Sequence, residues 1–240
     1  MSKVIAIIPH YNHSATVGYV AQTLINQGLE VLIVDDGSTA EHRQALSNLN
    51  SIKGLHIHYR RQNGGKGAAM KSGFQLALRL GYTHALQVDA DAQHNLADVP
   101  LMLQQVEKMP EAIVCGRPIY GDDAPKARLY GRKITNFWNA VHTWSFDIKD
   151  GMCGFRIYPL ASVDRLLQQQ SLGDGMDFDI DIIIRAHWQQ IPLKWVDTPV
   201  KYDKNGISHF KVGRDNLRIS LLHTRLFFTM LGRLLQGKPL

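Results

Sequence analysis

The segment His84-Ala85-Leu86-Gln87-Val88-Asp89-Ala90-Asp91-Ala92-Gln93-His94 passes from a short apolar run to two carboxylates within a few residues. A run of that length with polar boundaries reads as a buried strand, His84–Val88, with the acids just beyond its end. The same switch occurs twice upstream. Val4–Ile8 is followed by Pro9-His10-Tyr11-Asn12, and Glu30–Val34 by Asp35-Asp36-Gly37-Ser38-Thr39. Gly54–Tyr59 and Ala112–Cys115 read as further strands. Amphipathic stretches at Ala15–Gln27, Ala40–Asn50, Gly67–Leu80 and Leu96–Lys108 read as the helices between them. This alternation predicts an α/β fold, a Rossmann-like, mostly parallel sheet with helices on both faces. Ligands bind such sheets outside the carboxyl ends of the strands, where the polar clusters stand.

Past Gly116 the alternation stops. A polar loop, Pro118–Pro125, leads into a helix at Lys126–Trp144, and a Gly-rich turn follows at Asp150-Gly151-Met152-Cys153-Gly154. A helix near Asp177–Gln189 precedes two short extended pieces, near Leu193–Trp195 and Pro199–Tyr202. Residues 204–211 read as a loop hinged at Gly206, and the last 25 or so residues as a helix. The expected organisation is one domain over 1–212, with a nucleotide-binding half at 1–116 and a second half at 117–212. A basic amphipathic helix over 213–240 completes the chain.

A chain of 240 residues can bury a full core without disulfides. Its 45% apolar and 20% charged content is that of a soluble globular protein. Cys115 and Cys153 lack any CxxC or Cys/His spacing, so the expectation is buried, reduced thiols and no zinc site. The opening residues carry no signal-peptide cleavage pattern, and no stretch approaches the roughly 18 apolar residues that span a bilayer. A cytoplasmic location is expected. The net charge of +6 is localised: residues 201–240 hold eight basic residues against Asp203 and Asp215, which accounts for all of it. That concentration argues against nucleic-acid binding and for a basic segment with its own partner.

Asp89 and Asp91 cannot both stay ionised in a water-poor cleft without a cation. Hard oxygen ligands suit Mg²⁺ or Mn²⁺, which keep positions open for diphosphate oxygens. Gln93 adds a neutral oxygen from the same turn, and His94 is a softer candidate. The plainer alternative is a turn that caps the helix beginning near Leu96. Asp35 and Asp36 suit hydrogen bonds to a base or ribose, or an ordinary tight turn. Asn63-Gly64-Gly65-Lys66-Gly67-Ala68 opens a helix whose bare N–H groups favour an anion, and Lys66 adds a point charge. The spacing is not that of a P-loop, and Gly-x-Gly-x-x-Gly is absent after the first strand, which excludes a dinucleotide-binding domain. A nucleotidyltransferase would carry a Gly-rich basic loop there, and that is absent too.

These segments together resemble the inverting family 2 glycosyltransferases of the GT-A fold, most nearly the dolichol- or polyprenol-phosphate sugar transferase branch. The resemblance rests on Ile8–Asn12, Val34–Thr39, Asn63–Ala68 and Asp89–His94. It extends to Gly154-Phe155-Arg156, Phe178-Asp179-Ile180-Asp181 and Gly206–Lys211. It implies a nucleotide-diphosphate sugar donor near Pro9, Tyr11, Asn12 and Asp36, with metal and diphosphate held by Asp89, Asp91 and Gln93. It further implies Arg117 and Arg156 as phosphate partners and residues 204–211 as a lid over the donor. The acceptor would be a polyprenyl phosphate or other lipid, with a saccharide hydroxyl as the alternative; a non-catalytic scaffold is the rival of another class. A hydroxyl acceptor needs a general base, for which Asp150, Asp179 and Asp181 are candidates, Asp181 foremost by its place in the motif. The chain departs from the family at His13, where Glu is common, at Asp181, where Glu is usual, and in lacking C-terminal transmembrane helices.

In the tail, Arg214, Arg218 and Arg225 fall within roughly 40° of helical arc, and leucine and phenylalanine fill much of the rest. That pattern suits a helix lying peripherally on the inner face of an anionic membrane, or one packed on the domain.

Overall fold

A computed structural model describes residues 2–121, 124–200 and 211–240. The chain opens with β1 (Val4–His10), α1 (Ser14–Asn26), β2 (Glu30–Asp35), α2 (Ala40–Ser47), β3 (Leu55–Tyr59), α3 (Lys66–Arg79) and β4 (His84–Gln87). A 3₁₀ turn, Leu96–Asp98, leads into α4 (Val99–Lys108). Then come β5 (Ile113–Tyr120), α5 (Lys126–Thr143), β6 (Arg156–Pro159), α6 (Leu160–Gln169), α7 (Phe178–Trp188), β7 (Leu193–Val200) and α8 (Val212–Leu235).

Among these residues the strands form one seven-stranded sheet in the order β3-β2-β1-β4-β6-β5-β7. Every neighbouring pair is parallel except those that β6 makes with β4 and β5. The burial of β1 shows why the centre of the sheet reads as an unbroken apolar run. Ile5, Ala6, Ile7 and Ile8 are all fully buried, because helices cover both faces. Successive side chains alternate between two cores. Ile5 and Ile7 join Phe74, Tyr158, Ile183 and Leu226 on the side of α3, α6, α7 and α8. Ala6 and Ile8 join Val17, Leu24, Val99 and Met102 on the side of α1 and α4.

The second half departs from the sequence reading in three places. β5 continues through Tyr120, where a loop is expected from Pro118, because it pairs with β7 from Ile113↔Leu193 to Tyr120↔Val200. For the same reason Leu193–Trp195 and the described part of Pro199–Tyr202 belong to one strand. β6 and α6 carry no clear signal, since Arg156 interrupts the apolar pattern of a four-residue strand. Running against its neighbours, β6 sets Arg156 opposite Gln87 of β4 and delivers the turn 150–154 to the edge where β1, β2 and β4 end.

α8 is docked on the domain by Ile219, Leu222, Leu226 and Met230. It lies beside α5, with the rings of Trp138 and Phe227 6.4 Å apart and His142 Nε2 3.1 Å from His223 Nδ1. Among the described residues no helix is long and apolar enough to cross a membrane.

Candidate active site

Two strand ends and two turns build one wall of the site. His10 closes β1 directly opposite Asp35, which closes β2. Its Nδ1 lies 3.1 Å from Asp35 Oδ1, while Arg43 Nε donates to Oδ2 at 2.9 Å. Burial alone would raise the Asp35 pKa, but hydrogen bonds from His10, Ser38 and Arg43 outweigh it and bring it down to about 2. Asn12 stitches the two turns together. At a left-handed φ of 47° its N–H donates to Ser38 Oγ at 2.9 Å, and its Oδ1 accepts the N–H of Thr39 at 2.9 Å. Pro9 is part of β1, and Tyr11 stands partly exposed on this wall.

The anion at the start of α3 is the protein's own. Asp36, almost wholly buried, accepts the N–H of Gly64 at 3.1 Å and of Gly65 at 2.6 Å and pairs with Arg60. Gly67 and Ala68 donate to the carbonyls of Gly175 and Asp174, at 3.3 and 3.1 Å. Four of the N–H groups expected to be bare for a ligand, those of Gly64, Gly65, Gly67 and Ala68, are thus occupied, a correction to that expectation. The glycines serve close packing instead. A Cβ on Gly65 would lie 2.5 Å from the Asp174 carbonyl oxygen, and one on Gly67 2.6 Å from that of Gly173.

Lys66 turns inward and joins the two halves of the chain. Its Nζ lies 2.7 Å from Asp89 Oδ1, past the end of β4, and 2.8 Å from Asp179 Oδ2 on α7. Burial disfavours a charged ammonium, yet the two carboxylates hold its pKa above the usual lysine range; Lys66 in turn drives that of Asp89 below the usual carboxylate range, against the effect of burial. Gln87 Nε2 donates to Asp179 Oδ1 at 2.8 Å, and Tyr158 Oη donates to Gln87 Oε1 at 3.3 Å. Arg156, fully buried, donates to the backbone carbonyls of Asp179 at 2.6 Å and Gly151 at 2.9 Å. Gly154 lets this layer close, since a Cβ there would sit 2.5 Å from Gln87 Nε2 and 2.8 Å from Lys66 Nζ. The cation that balances Asp89 is therefore Lys66.

Asp91 stands half-exposed in the next turn, where its Oδ1 accepts the N–H of Gln93 at 3.1 Å across Ala92, itself at φ 59°. His94 stacks on Phe155 with ring centroids 4.9 Å apart, and its Nε2 is 3.5 Å from Asp89 Oδ2. Among the described residues no group of three His, Cys, Asp or Glu side chains is placed to hold a metal by itself.

The other sequence candidates are engaged in pairings of their own. Asp150 is buried and takes both 2.7 Å contacts of Arg132 NH1 as well as the N–H groups of Met152 and Cys153. Asp181, fully buried, accepts Arg185 Nε at 2.5 Å, Arg225 NH2 at 2.8 Å and the N–H of Gly173 at 3.0 Å. It sits two positions from Asp179, roughly 200° around α7, so the two acids face different neighbours. Arg117 is exposed on β5 and forks onto Asp197 of β7. The 204–210 part of the expected lid, with its hinge Gly206, lies outside the described residues. Gln87, Tyr158 and Gly154 were missed as site residues. Gln87 carries a signal as a polar side chain inside an apolar strand, and Gly154 as part of the Gly-rich turn and of the Gly154-Phe155-Arg156 segment; Tyr158 carries none.

The family model for glycosyl transferase family 2 matches residues 5–167. The polyprenol monophosphomannose synthase of Mycolicibacterium smegmatis is 25% identical, over 90% of this chain and 83% of the relative. The UDP-N-acetylglucosamine–dolichyl-phosphate N-acetylglucosaminyltransferase of Methanococcus voltae is 26% identical, over 68% of this chain and 72% of the relative. Among solved structures, glucosyl-3-phosphoglycerate synthase from Mycobacterium tuberculosis, in complex with Mn²⁺, UDP and glucosyl-3-phosphoglycerate, superposes with a TM-score of 0.67. That likeness comes at 16% identity and covers 97% of this chain and 80% of the other. The family match spans well over half of the sequence and runs through Asp36, Lys66, Asp89 and Arg156, so the chain belongs to glycosyl transferase family 2 and is a glycosyltransferase of the GT-A fold.

Proposed function

We propose that this enzyme moves a sugar, with inversion, from a nucleotide-diphosphate sugar to a lipid-linked phosphate acceptor such as a polyprenyl phosphate. The donor would lie along the wall of Pro9, Tyr11, Asn12, Asp35 and Asp36, with its diphosphate toward Asp89, Asp91 and Gln93. The observation that carries the acceptor half is the state of the three candidate bases. Asp150 is committed to Arg132, Asp179 to Lys66, and Asp181 to Arg185 and Arg225. A hydroxyl acceptor must lose a proton to a base, whereas a phosphate acceptor arrives already anionic and needs none. The relatives' names, which include polyprenol and dolichyl phosphate enzymes, agree with that choice.

The donor set fits Mg²⁺ or Mn²⁺ as an ion shared with the donor, not one caged by protein. The half-exposed carboxylate of Asp91 and the amide oxygen of Gln93 are hard ligands, and Asp89 can offer the oxygen that Lys66 does not hold. Such an ion would neutralise charge on the departing nucleoside diphosphate. The chain's own contribution is placement. Lys66 keeps Asp89 ionised and aimed, and Gln87 and Arg156 fix Asp179 behind it. Under this reading Arg117 and Arg156 act through Asp197 and the backbone of the 150–154 turn, not as direct phosphate ligands.

The test is an acceptor panel with one labelled nucleotide sugar and Mn²⁺: undecaprenyl phosphate, the corresponding free polyprenol, and simple saccharides. Transfer to the phosphate alone is expected. Faster transfer to the free alcohol or to a saccharide would overturn the acceptor assignment, and absence of nucleotide release with every acceptor would overturn the donor assignment.

A further inference from the structure

α5 and α8 lie side by side, and each has an outward face that no other described residue covers. α8 packs inward through Ile219, Leu226 and Met230, and α5 through Thr135, Asn139 and His142. At about 100° per residue, Leu217, Leu221 and Phe228 share roughly 40° of arc on the side of α8 opposite its packed face. Tyr130, Ile134 and Phe137 share roughly 60° on α5, turned roughly 140° from its packed face. All six are between 60% and 67% exposed. The rings of Trp138 and Phe227 close the seam between the helices, so the two stripes border one contact and form a common surface.

The charge on this surface has one sign. Of the eight basic residues of α5 and α8, Arg132 and Arg225 are paired with Asp150 and Asp181, and the single acid of the two helices, Asp215, is buried. Lys126 and Lys133 on α5 and Arg214 on α8 are exposed beside the stripes. A second copy docking here would bring cations against cations, which disfavours self-association. An anionic bilayer complements both features, taking the apolar stripes below the headgroups and the cations among them. Tyr130, with Trp144 exposed just past the end of α5, supplies the aromatic residues that settle at that boundary. β5 and β7, the strands that precede these two helices in the chain, end at the edge of the sheet where β4 delivers Asp89 and Asp91.

We propose that the composite face of α5 and α8 is a docking surface for an anionic lipid bilayer, with both helices lying in its interface. This goes beyond a tail acting alone, because half of α8 is already engaged with the domain. It stands on these two helices and not on the acceptor assignment, and a saccharide acceptor would leave it intact.

The experiment uses the full chain and large unilamellar vesicles, either pure phosphatidylcholine or phosphatidylcholine with roughly 30% phosphatidylglycerol, in a flotation assay. Binding to the anionic vesicles, weakened by salt, is expected. The pairs Ile134→Glu/Phe137→Glu and Leu221→Glu/Phe228→Glu should each lower the partition coefficient at least about tenfold. Lys133→Glu/Arg214→Glu should abolish the preference for anionic lipid. The thermal midpoint and UDP or GDP binding of each variant, measured alongside, report whether the fold and donor site survive. Brominated lipids should quench tryptophan emission of the unmodified chain, a readout that needs no variant. Three results would overturn the proposal: no vesicle binding and no quenching; loss confined to the α8 pair; or concentration-dependent dimerisation abolished by these substitutions, which would assign the face to a second copy.

Discussion

Lys66 sits between two acids drawn from opposite halves of the chain, so its removal tests the site and the fold together. Lys66→Met leaves Asp89 and Asp179 without their shared cation, and breaking a buried ion pair by deleting one partner costs about 3–5 kcal/mol. Urea unfolding should show a loss of that order, partly restored by adding Asp179→Asn. Asp91 is the contrasting residue. It is half-exposed, and among the described residues its hydrogen bond is the local one from the N–H of Gln93, so Asp91→Ala should leave the urea midpoint nearly unchanged. If Asp91 holds the ion behind the leaving group, transfer should fall by about 10²–10³-fold. Asp181→Asn should behave in the opposite way. It should lower stability by weakening the ties to Arg185 and Arg225, with little change in the pH dependence of the turnover that remains. A rate that instead titrates with a carboxylate, and loses that titration in Asp181→Asn, would return Asp181 to the role of base.

At the scale of elements, the α5–α8 seam contains a pH-sensitive contact. His142 and His223 are stacked, hydrogen-bonded and buried, and desolvation lowers both pKa values from 6.5 to about 4. A histidine that is harder to protonate when folded stabilises the fold above its unfolded pKa and loses that contribution as pH falls. Unfolding free energy should therefore drop between pH 6.5 and about 4, and a His142→Gln/His223→Gln variant should show a flatter profile across that window. Elements also mark what the sequence disclosed. β1 and β2 were legible because a strand covered on both faces must be apolar almost throughout and must end at a turn, and the edge strand β3 because Leu55 and Ile57 alternate with His56 and His58. β6 was not, because its Arg156 takes its partners from the backbone of residues 151 and 179, contacts that no local pattern encodes. The glycines of Asn63–Ala68 read as an open anion site for a related reason. The spacing reveals a helix start, and only the fold reveals that Asp36 and the 173–175 backbone already fill it. Asp89 and Lys66 each stand out in the sequence as candidates, whereas their pairing with each other and with Asp179 does not.

For the whole molecule, the proposed donor wall comes from β1, β2 and β4 and the opposing side from α7 and the 150–154 turn, so on that proposal ligand binding should brace both halves at once. A nucleotide sugar with Mn²⁺ at about 100 times its dissociation constant should raise the unfolding free energy by about 2.7 kcal/mol. The thermal midpoint should rise accordingly. If the ion is shared with the diphosphate, EDTA should remove most of that gain while leaving the unliganded midpoint in place. A chain stabilised equally with and without the metal would instead bind its donor through protein groups alone.

The reversed strand β6 also bears on biogenesis. During translation β1 to β4 emerge as a contiguous parallel block, yet the strand that must slot between β4 and β5 is made after β5. Until Arg156 to Pro159 have left the ribosome, the edge of β4 stays unpaired, and Lys66 waits longer still for Asp179. Nascent chains stalled near residue 120 should accordingly recruit chaperones that recognise open sheet edges, and those released past α7 should not.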